Sequence, residues 1–131
     1  MEKGIITKVS NQDFDNTYLK LKETIDNNPN LKIIAELDHQ SNASNVGLAL
    51  NKTKIILFGN PKMGTPLMQN SITAGLDLPQ KILVYQNDQG IVNVTYNDPM
   101  YLKQRHGISG AQEILTKISG ALDQITNLAT L

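Results

Sequence analysis

The sequence contains no cysteine, which removes disulfides, thiolate metal sites and cysteine nucleophiles together. It also lacks surplus charge: twelve basic residues balance twelve acidic ones, so the global pull toward nucleic acid or an anionic membrane is missing. Long hydrophobic runs are absent as well. The start, MEKGIITKVS, follows its charged residues with only a short apolar stretch, unlike a signal peptide or a spanning helix. We therefore expect a soluble, cytoplasmic chain with no nucleic-acid or membrane partner. Histidine is scarce too. His39 and His106 are the only two, in none of the HxH, HxxxH or HExxH spacings that hold a metal, and no serine has a nucleophile-elbow context. No metal, cofactor or catalytic triad is expected. Arg105 is the single arginine beside eleven lysines, a bias that compositional drift also produces.

What is present is one alternation of strand and helix. At 131 residues the chain reads as a single domain over 1–131, long enough to bury a core without staples. GIITKV (Gly4 to Val9) predicts a strand. SNQD then supplies caps for a helix whose apolar residues Phe14, Tyr18, Leu21 and Ile25 step by four, three and four, one helical stripe. LKIIAEL predicts the second strand, and a short helical turn follows from near Ser41 to Gly47, before the strand KIILF. Thr65 as N-cap and Pro66 at the first helical position predict a third helix ending near Gly75. KILVYQ and IVNVTY flank the turn Asn87 to Gly90 as an antiparallel hairpin. Asp98 and Pro99 open a short helix closed by Gly107. Ser109 with Gln112 has the form of a capping box for the last helix, whose stripe is Ile114, Leu115, Ile118, Leu122, Ile125 and Leu128.

GLALNKTKIILFGN and GLDLPQKILVYQN echo one another after a one-residue gap, either as shared corner chemistry or as a duplication. Both predict a helix ended by glycine, then a strand apolar enough to be buried on both faces. The expected fold is α+β: a two-layer domain with a mixed β-sheet, in the order β-α-β-(short α)-β-α-β-β-α-α.

FGNPKMGTPLMQ (Phe58 to Gln69) raises the question of a site. Gly59 and Gly64 have the GxxxxG spacing of a phosphate-binding loop, but Thr65 and Pro66 follow where that loop needs Lys and Ser or Thr. Nucleotide hydrolysis is thereby disfavoured. Two readings stay open. A glycine-containing loop at a helix N-terminus offers free amides, to which Lys62 and Thr65 add donors for an anion; alternatively it is a shaped corner in which Asn60 starts a turn, Pro61 stiffens it and Gly64 takes a conformation other residues resist. His39, beside Asp38 at a strand end, is the candidate acid or base. Arg105 and His106 fall in the last turn of a helix, where the helix dipole alone favours them.

The strings DH (Asp38, His39), FGNPKMGTPLMQ, DLPQKILVY and TYNDPMYLKQRHG together resemble the bacterial and archaeal domain of unknown function 302 family, from about Asp38 to Gly107. That resemblance implies a compact α+β fold, a homodimer and no established reaction. It draws notice to His39, Asn60, Pro61, Gly64, Thr65, Asp77, Pro79, Tyr96, Asp98, Pro99 and Arg105. The reading that follows is a binding module for a small, possibly anionic ligand, or an interaction module, with His39, Asn60, Lys62, Gly64 and Thr65 as its site. The alternative is an enzyme on a small anionic metabolite, His39 acting as acid or base while Lys62 or Arg105 steers the anion. A purely structural role is the third class. Parallel pairing of KIILF and KILVYQ would set the Asn60 to Thr65 loop on one edge and Tyr96, Asp98 and Arg105 apart as a separate structural cluster, and His39 is expected to join the loop if its own strand runs parallel to KIILF. Leu67, Met68 and Ile72 are the apolar positions that suggest the dimer contact.

Overall fold

The computed structural model describes residues 4–131, so the charged start Met1–Lys3 lies outside the described residues. The elements follow in the expected order: β1 (Ile5–Val9), α1 (Phe14–Asp26), β2 (Lys32–Asp38), α2 (His39–Asn45), β3 (Thr53–Gly59), α3 (Pro61–Asn70), a 3-10 helix (Ile72–Leu76), β4 (Gln80–Gln86), β5 (Val92–Asn97), α4 (Pro99–His106) and α5 (Gln112–Ala129). Local chemistry explains most boundaries. Asp13 caps α1 by accepting from the Asn16 amide. Asp98 caps α4 through the Met100 amide with Pro99 in the first turn, and Gly107 ends that helix at φ 62°, a left-handed conformation that glycine adopts without strain. Three helices start away from the expected place. α2 begins at His39, because Asp38 accepts from the Ser41 amide at 3.0 Å. α5 begins at Gln112 with no side-chain cap; the amide of Ser109 instead donates to Asn70 at 3.1 Å, fastening the chain to the end of α3. The third is α3, which bears on the site.

The fold is α+β, and its five strands form one sheet in the order β1-β5-β4-β3-β2, antiparallel at every pairing. A mixed sheet with β3 and β4 parallel was the expectation. That required the connecting helix to cross the sheet, but α3 and the 3-10 helix stay at the end where β3 finishes, so the chain re-enters beside its exit and Gln80 pairs with Phe58. The glycine echo does not extend to conformation either: Gly47 is left-handed at φ 74°, whereas Gly75 is not among the positive-φ glycines.

Helices α1 and α5 pack on each other and on one face of the sheet. The α1 stripe Phe14, Tyr18, Leu21 and Ile25 is buried, as are Ile56, Phe58, Ile82 and Val84 from β3 and β4. At the core's margin the Tyr18 hydroxyl donates to Glu36 at 2.6 Å, and Lys22 pairs with the same carboxylate at 3.0 Å. Burial pushes the Tyr18 hydroxyl well above its usual value, and the Glu36 carboxylate adds to that. The Tyr18 bond holds Glu36 below the ordinary carboxyl range, with burial opposing and Lys22 and Lys54 assisting. The raised tyrosine contributes stability that is present below the unfolded value of about 10 and is lost as pH rises past it. The depressed Glu36 contributes stability present above about pH 4.3 and lost as pH falls. Tyr18→Phe is expected to cost about 1 to 2 kcal/mol at neutral pH and to flatten the stability profile at both ends, measured by urea unfolding across pH. An unchanged profile contradicts the pairing.

Candidate functional site

The stretch that looked like a loop is the start of a helix. Asn60, not Thr65, is the N-cap of α3, Pro61 stands in the first turn and Pro66 falls inside the helix. Asn-Pro and Thr-Pro are both good openings, and the earlier one prevails because Asn60 satisfies three amides: its side chain accepts from Lys62 at 3.0 Å, and its carbonyl accepts from Met63 at 2.9 Å and Gly64 at 3.0 Å. Starting there also places Met63 and Leu67 four apart, facing the core. Pro66 then sacrifices one hydrogen bond. Two expectations are corrected by this. Amides proposed for an anion already have partners within the first turn, and Gly64 has no positive φ. A Cβ on Gly64 would meet only Leu78 Cδ1 at 3.8 Å, an ordinary contact. Gly64→Ala is therefore expected to be neutral or to stabilise by up to about 1 kcal/mol, read as a small rise in Tm; a loss of several degrees would mean that the glycine is conformationally required.

What the helix start does build is one wall of a cavity of about 630 Å³ at the end of the sheet. Opposite walls come from the beginning of β2 (Leu31, Lys32, Ile34), from Leu78 to Gln80, and from the α5 face carrying Lys117, Ile118, Ala121 and Leu122. A bulge between Ile33 and Ala35 breaks the β2 register beside Ile34, which is 60% exposed here. Phe58 forms the floor between cavity and core, and Met63 and Met68 supply soft, adjustable sides. Among the charged residues lining it, both are basic: Lys32 and Lys117. Of the positions singled out in the sequence, Asn60, Pro61, Gly64, Thr65 and Pro79 line the cavity, and Lys62 does not.

His39 is not part of this place. β2 runs antiparallel to β3, with Lys32 opposite Gly59 and Asp38 opposite Lys54, so His39 stands at the far end of the sheet. Seven residues of strand separate the two ends by roughly 20 Å. The expected grouping of His39 with Asn60 to Thr65 on one edge is thus corrected, as is the separation of Asp98 and Arg105 from that edge. Antiparallel pairing of β4 with β5 sets Tyr96 beside Ile82, which brings the end of β5 to the cavity's end of the sheet. Tyr96 itself is a core residue, 5% exposed, and burial pushes its hydroxyl up. Asp98 is a helix cap.

Arg105 reaches Asp77 rather than the α3 start, its Nη1 donating to the two carboxylate oxygens at 3.1 and 2.9 Å. The same carboxylate meets His106 Nε2 at 2.5 Å, and His106 Nδ1 lies 2.9 Å from the Thr73 hydroxyl. The imidazole is 4% exposed. Thr73, His106 and Asp77 have the composition of a hydrolytic relay, but none of the three lines the cavity; the arrangement clamps the 3-10 helix to α4. Lys81 adds to the clamp by donating to the Asp77 and Pro79 carbonyls at 2.9 and 3.0 Å, and burial holds its pKa below the usual lysine value, with Asp77 opposing. Helix-dipole reasoning placed His106 without finding its partners. The α5 wall was equally invisible from its stripe, in which Ala121 is only a small residue beside Leu122.

Comparison with known proteins bears on the family and the fold. Residues 6–125 match the family described as "Domain of unknown function DUF302". Proteins named "Fluoride-specific ion channel FluC 1" from Brucella suis biovar 1 (strain 1330) and Brucella abortus biovar 1 (strain 9-941) are each 40% identical over 87 residues, 66% of this chain and 34% and 32% of theirs. The chain thus spans about a third of the length of these curated relatives. Among the described residues no helix is long and apolar enough to cross a membrane. A crystal structure described as an uncharacterized conserved DUF302 protein from Bacillus stearothermophilus superposes with a TM-score of 0.85 over 98% of this chain and 99% of that one, at 18% identity. At that identity the likeness speaks for the fold alone.

Proposed function

The chain belongs to the DUF302 family of domains of unknown function, and on that premise we propose that it is a small-molecule binding module whose ligand lies in the cavity between the start of α3, the start of β2 and α5. One observation carries this reading: the cavity's volume of about 630 Å³ falls within the roughly 300 to 1,000 Å³ of small-ligand sites, and its walls are apolar with a few polar groups at the margin. The ligand class follows from those walls. An apolar body fits against Phe58, Met63, Met68 and Leu122, and Lys32 and Lys117 favour an acidic rather than a basic end group. His39, a sheet's length away, takes no part, which argues against an enzyme that uses it as acid or base in this cavity.

Titration with anilinonaphthalene sulfonate, an apolar anion that fluoresces when sheltered from water, tests the proposal. Saturable binding is expected, weakened at least about tenfold (1.4 kcal/mol) by Ala121→Phe, which puts a ring into the cavity. Equal affinity in a folded Ala121→Phe protein would remove the cavity from the account.

A second reading has its own observation, the likeness to part of two proteins named as fluoride-specific ion channels. Under it the domain serves a membrane transport protein as a ligand-responsive accessory. Fluoride itself suits the cavity poorly, because a small, strongly hydrated anion requires donors in place of its water, and the walls are mostly carbon. A thermal shift with sodium fluoride, compared with sodium chloride at equal ionic strength, is expected to be nil.

A further inference from the structure

We propose that the ligand of the cavity is a single-chain amphiphilic acid: one unbranched hydrocarbon chain, ending in a carboxylate or a phosphate, with the chain against Phe58 and the head at Lys32 and Lys117. The proposal rests on the binding reading above and names the class of molecule that reading leaves open.

The polar groups around the cavity divide into those already engaged and those to spare. Asn28 Oδ1 accepts from the Asn30 amide at 2.9 Å, and Asn60 Oδ1 accepts from the Lys62 amide at 3.0 Å. The amides of Met63 and Gly64 donate to the Asn60 carbonyl. Among the described residues Lys32 forms no ion pair, and Lys117 has only Glu113, 3.6 Å away and 86% exposed. No aspartate or glutamate among the described residues lines the cavity. The charged groups to spare are both cations, and an acid is the partner they favour.

Both lysines lie at the margin. The Lys117 side chain is 64% exposed, and Lys32 is exposed on β2, an edge strand of the sheet. Behind them the buried residues of the lining are Phe58, Ile118 and Leu122, all hydrocarbon. Gly59 and Gly64 bring the start of α3 close to Pro79 and Leu78: an added Cβ would already touch Pro79 at 3.4 Å and Leu78 at 3.8 Å, so that corner is closed. Charge stands at the mouth and carbon within.

This one-way polarity selects among anions. A compact anion such as inorganic phosphate needs several donors in place of its water, and two exposed lysines give it no more than any open surface does. A sugar or a nucleotide would bury hydroxyls and amines without partners, each a cost. A hydrocarbon chain asks only for carbon, and each methylene taken out of water is worth about fourfold in affinity. Two of the chain's four methionines stand in the lining, and their unbranched thioethers adapt to a chain of variable shape.

Displacement of anilinonaphthalene sulfonate from the full chain by dodecanoate and by dodecyl phosphate, each below its micelle-forming concentration, tests this. At least one acid is expected to displace the dye saturably and to bind about three- to tenfold more tightly than dodecanol, with dodecylamine weaker still; the tighter acid identifies the head group. From dodecanoate to octanoate the affinity is expected to fall by up to about fourfold per methylene removed. Neutralising both lysines, Lys32→Gln with Lys117→Gln, is expected to weaken the acid about three- to tenfold and to leave dodecanol unchanged, with circular dichroism as the fold check. Lys20→Gln, at an exposed position on α1 outside the cavity, is expected to weaken neither. Dodecanol or dodecylamine binding as tightly as both acids, octanoate equal to dodecanoate, full acid affinity in the folded double variant, or an equal loss in Lys20→Gln overturns the proposal. Dye that binds saturably but yields to neither acid also overturns it while leaving the binding reading in place, whereas absence of dye binding removes both.

Discussion

Phe58→Ala is expected to lower the unfolding free energy by about 3 to 5 kcal/mol. The ring is 2% exposed, lies at the end of β3 among the core residues, and forms the floor of the cavity at the same time. Truncation removes buried carbon and leaves a void that cannot collapse, because β3 is held by β2 on one side and β4 on the other. Phe58→Leu, which keeps most of the volume, is expected to cost less than about 1.5 kcal/mol. Urea unfolding followed by circular dichroism measures both. A loss under 1 kcal/mol for the alanine variant would show that the floor is replaceable, and the wall of the cavity would then need another support.

Asp77→Ala is expected to cost about 2 to 3 kcal/mol in the same assay. Most of that comes from the buried side. His106, 4% exposed, loses its carboxylate partner at Nε2 while buried, where an unpaired polar group is costly. The Arg105 pair adds little, since that side chain is 46% exposed and solvent screens it. Arg105→Gln is accordingly expected to cost under 1 kcal/mol. If Arg105→Gln proves as damaging as Asp77→Ala, the clamp is an ion pair to arginine and the histidine is incidental.

Elements were legible where local chemistry decides them. The α1 stripe, the hairpin around Gly90 and the Asp98-Pro99 opening of α4 each carry their signal within a few residues, and the structure has them in place. Direction between strands was not legible. Whether β3 and β4 run parallel depends on where α3 lies, which is fixed by contacts with segments remote in sequence: Leu67 in the core and Asn70 with Ser109. The misplacement of His39 beside the cavity came from the same illegibility at β2, which runs antiparallel to β3. The start of α3 shows a different limit: two good cap-proline pairs, Asn60-Pro61 and Thr65-Pro66, compete within six residues, and long-range burial of Leu67 chooses between them. The cavity was half visible, through Asn60, Gly64 and Thr65. Its other half comes from β2 and α5, remote in sequence, where no local pattern marks Lys117 or Ala121. KIILF and KILVY were expected to be buried on both faces, whereas the structure buries only the side carrying Ile56, Phe58, Ile82 and Val84.

The most direct test of the binding account is a two-dimensional amide spectrum of the labelled protein titrated with anilinonaphthalene sulfonate. Gly59 and Gly64 line the cavity, whereas Gly47 and Gly90 lie in the turns at the opposite end of the sheet. The account predicts progressive, saturable shifts at Gly59, Gly64 and Leu31 with Gly47 and Gly90 unmoved. Shifts centred on Gly47 and His39, or no saturable shift at any of these amides, would contradict it.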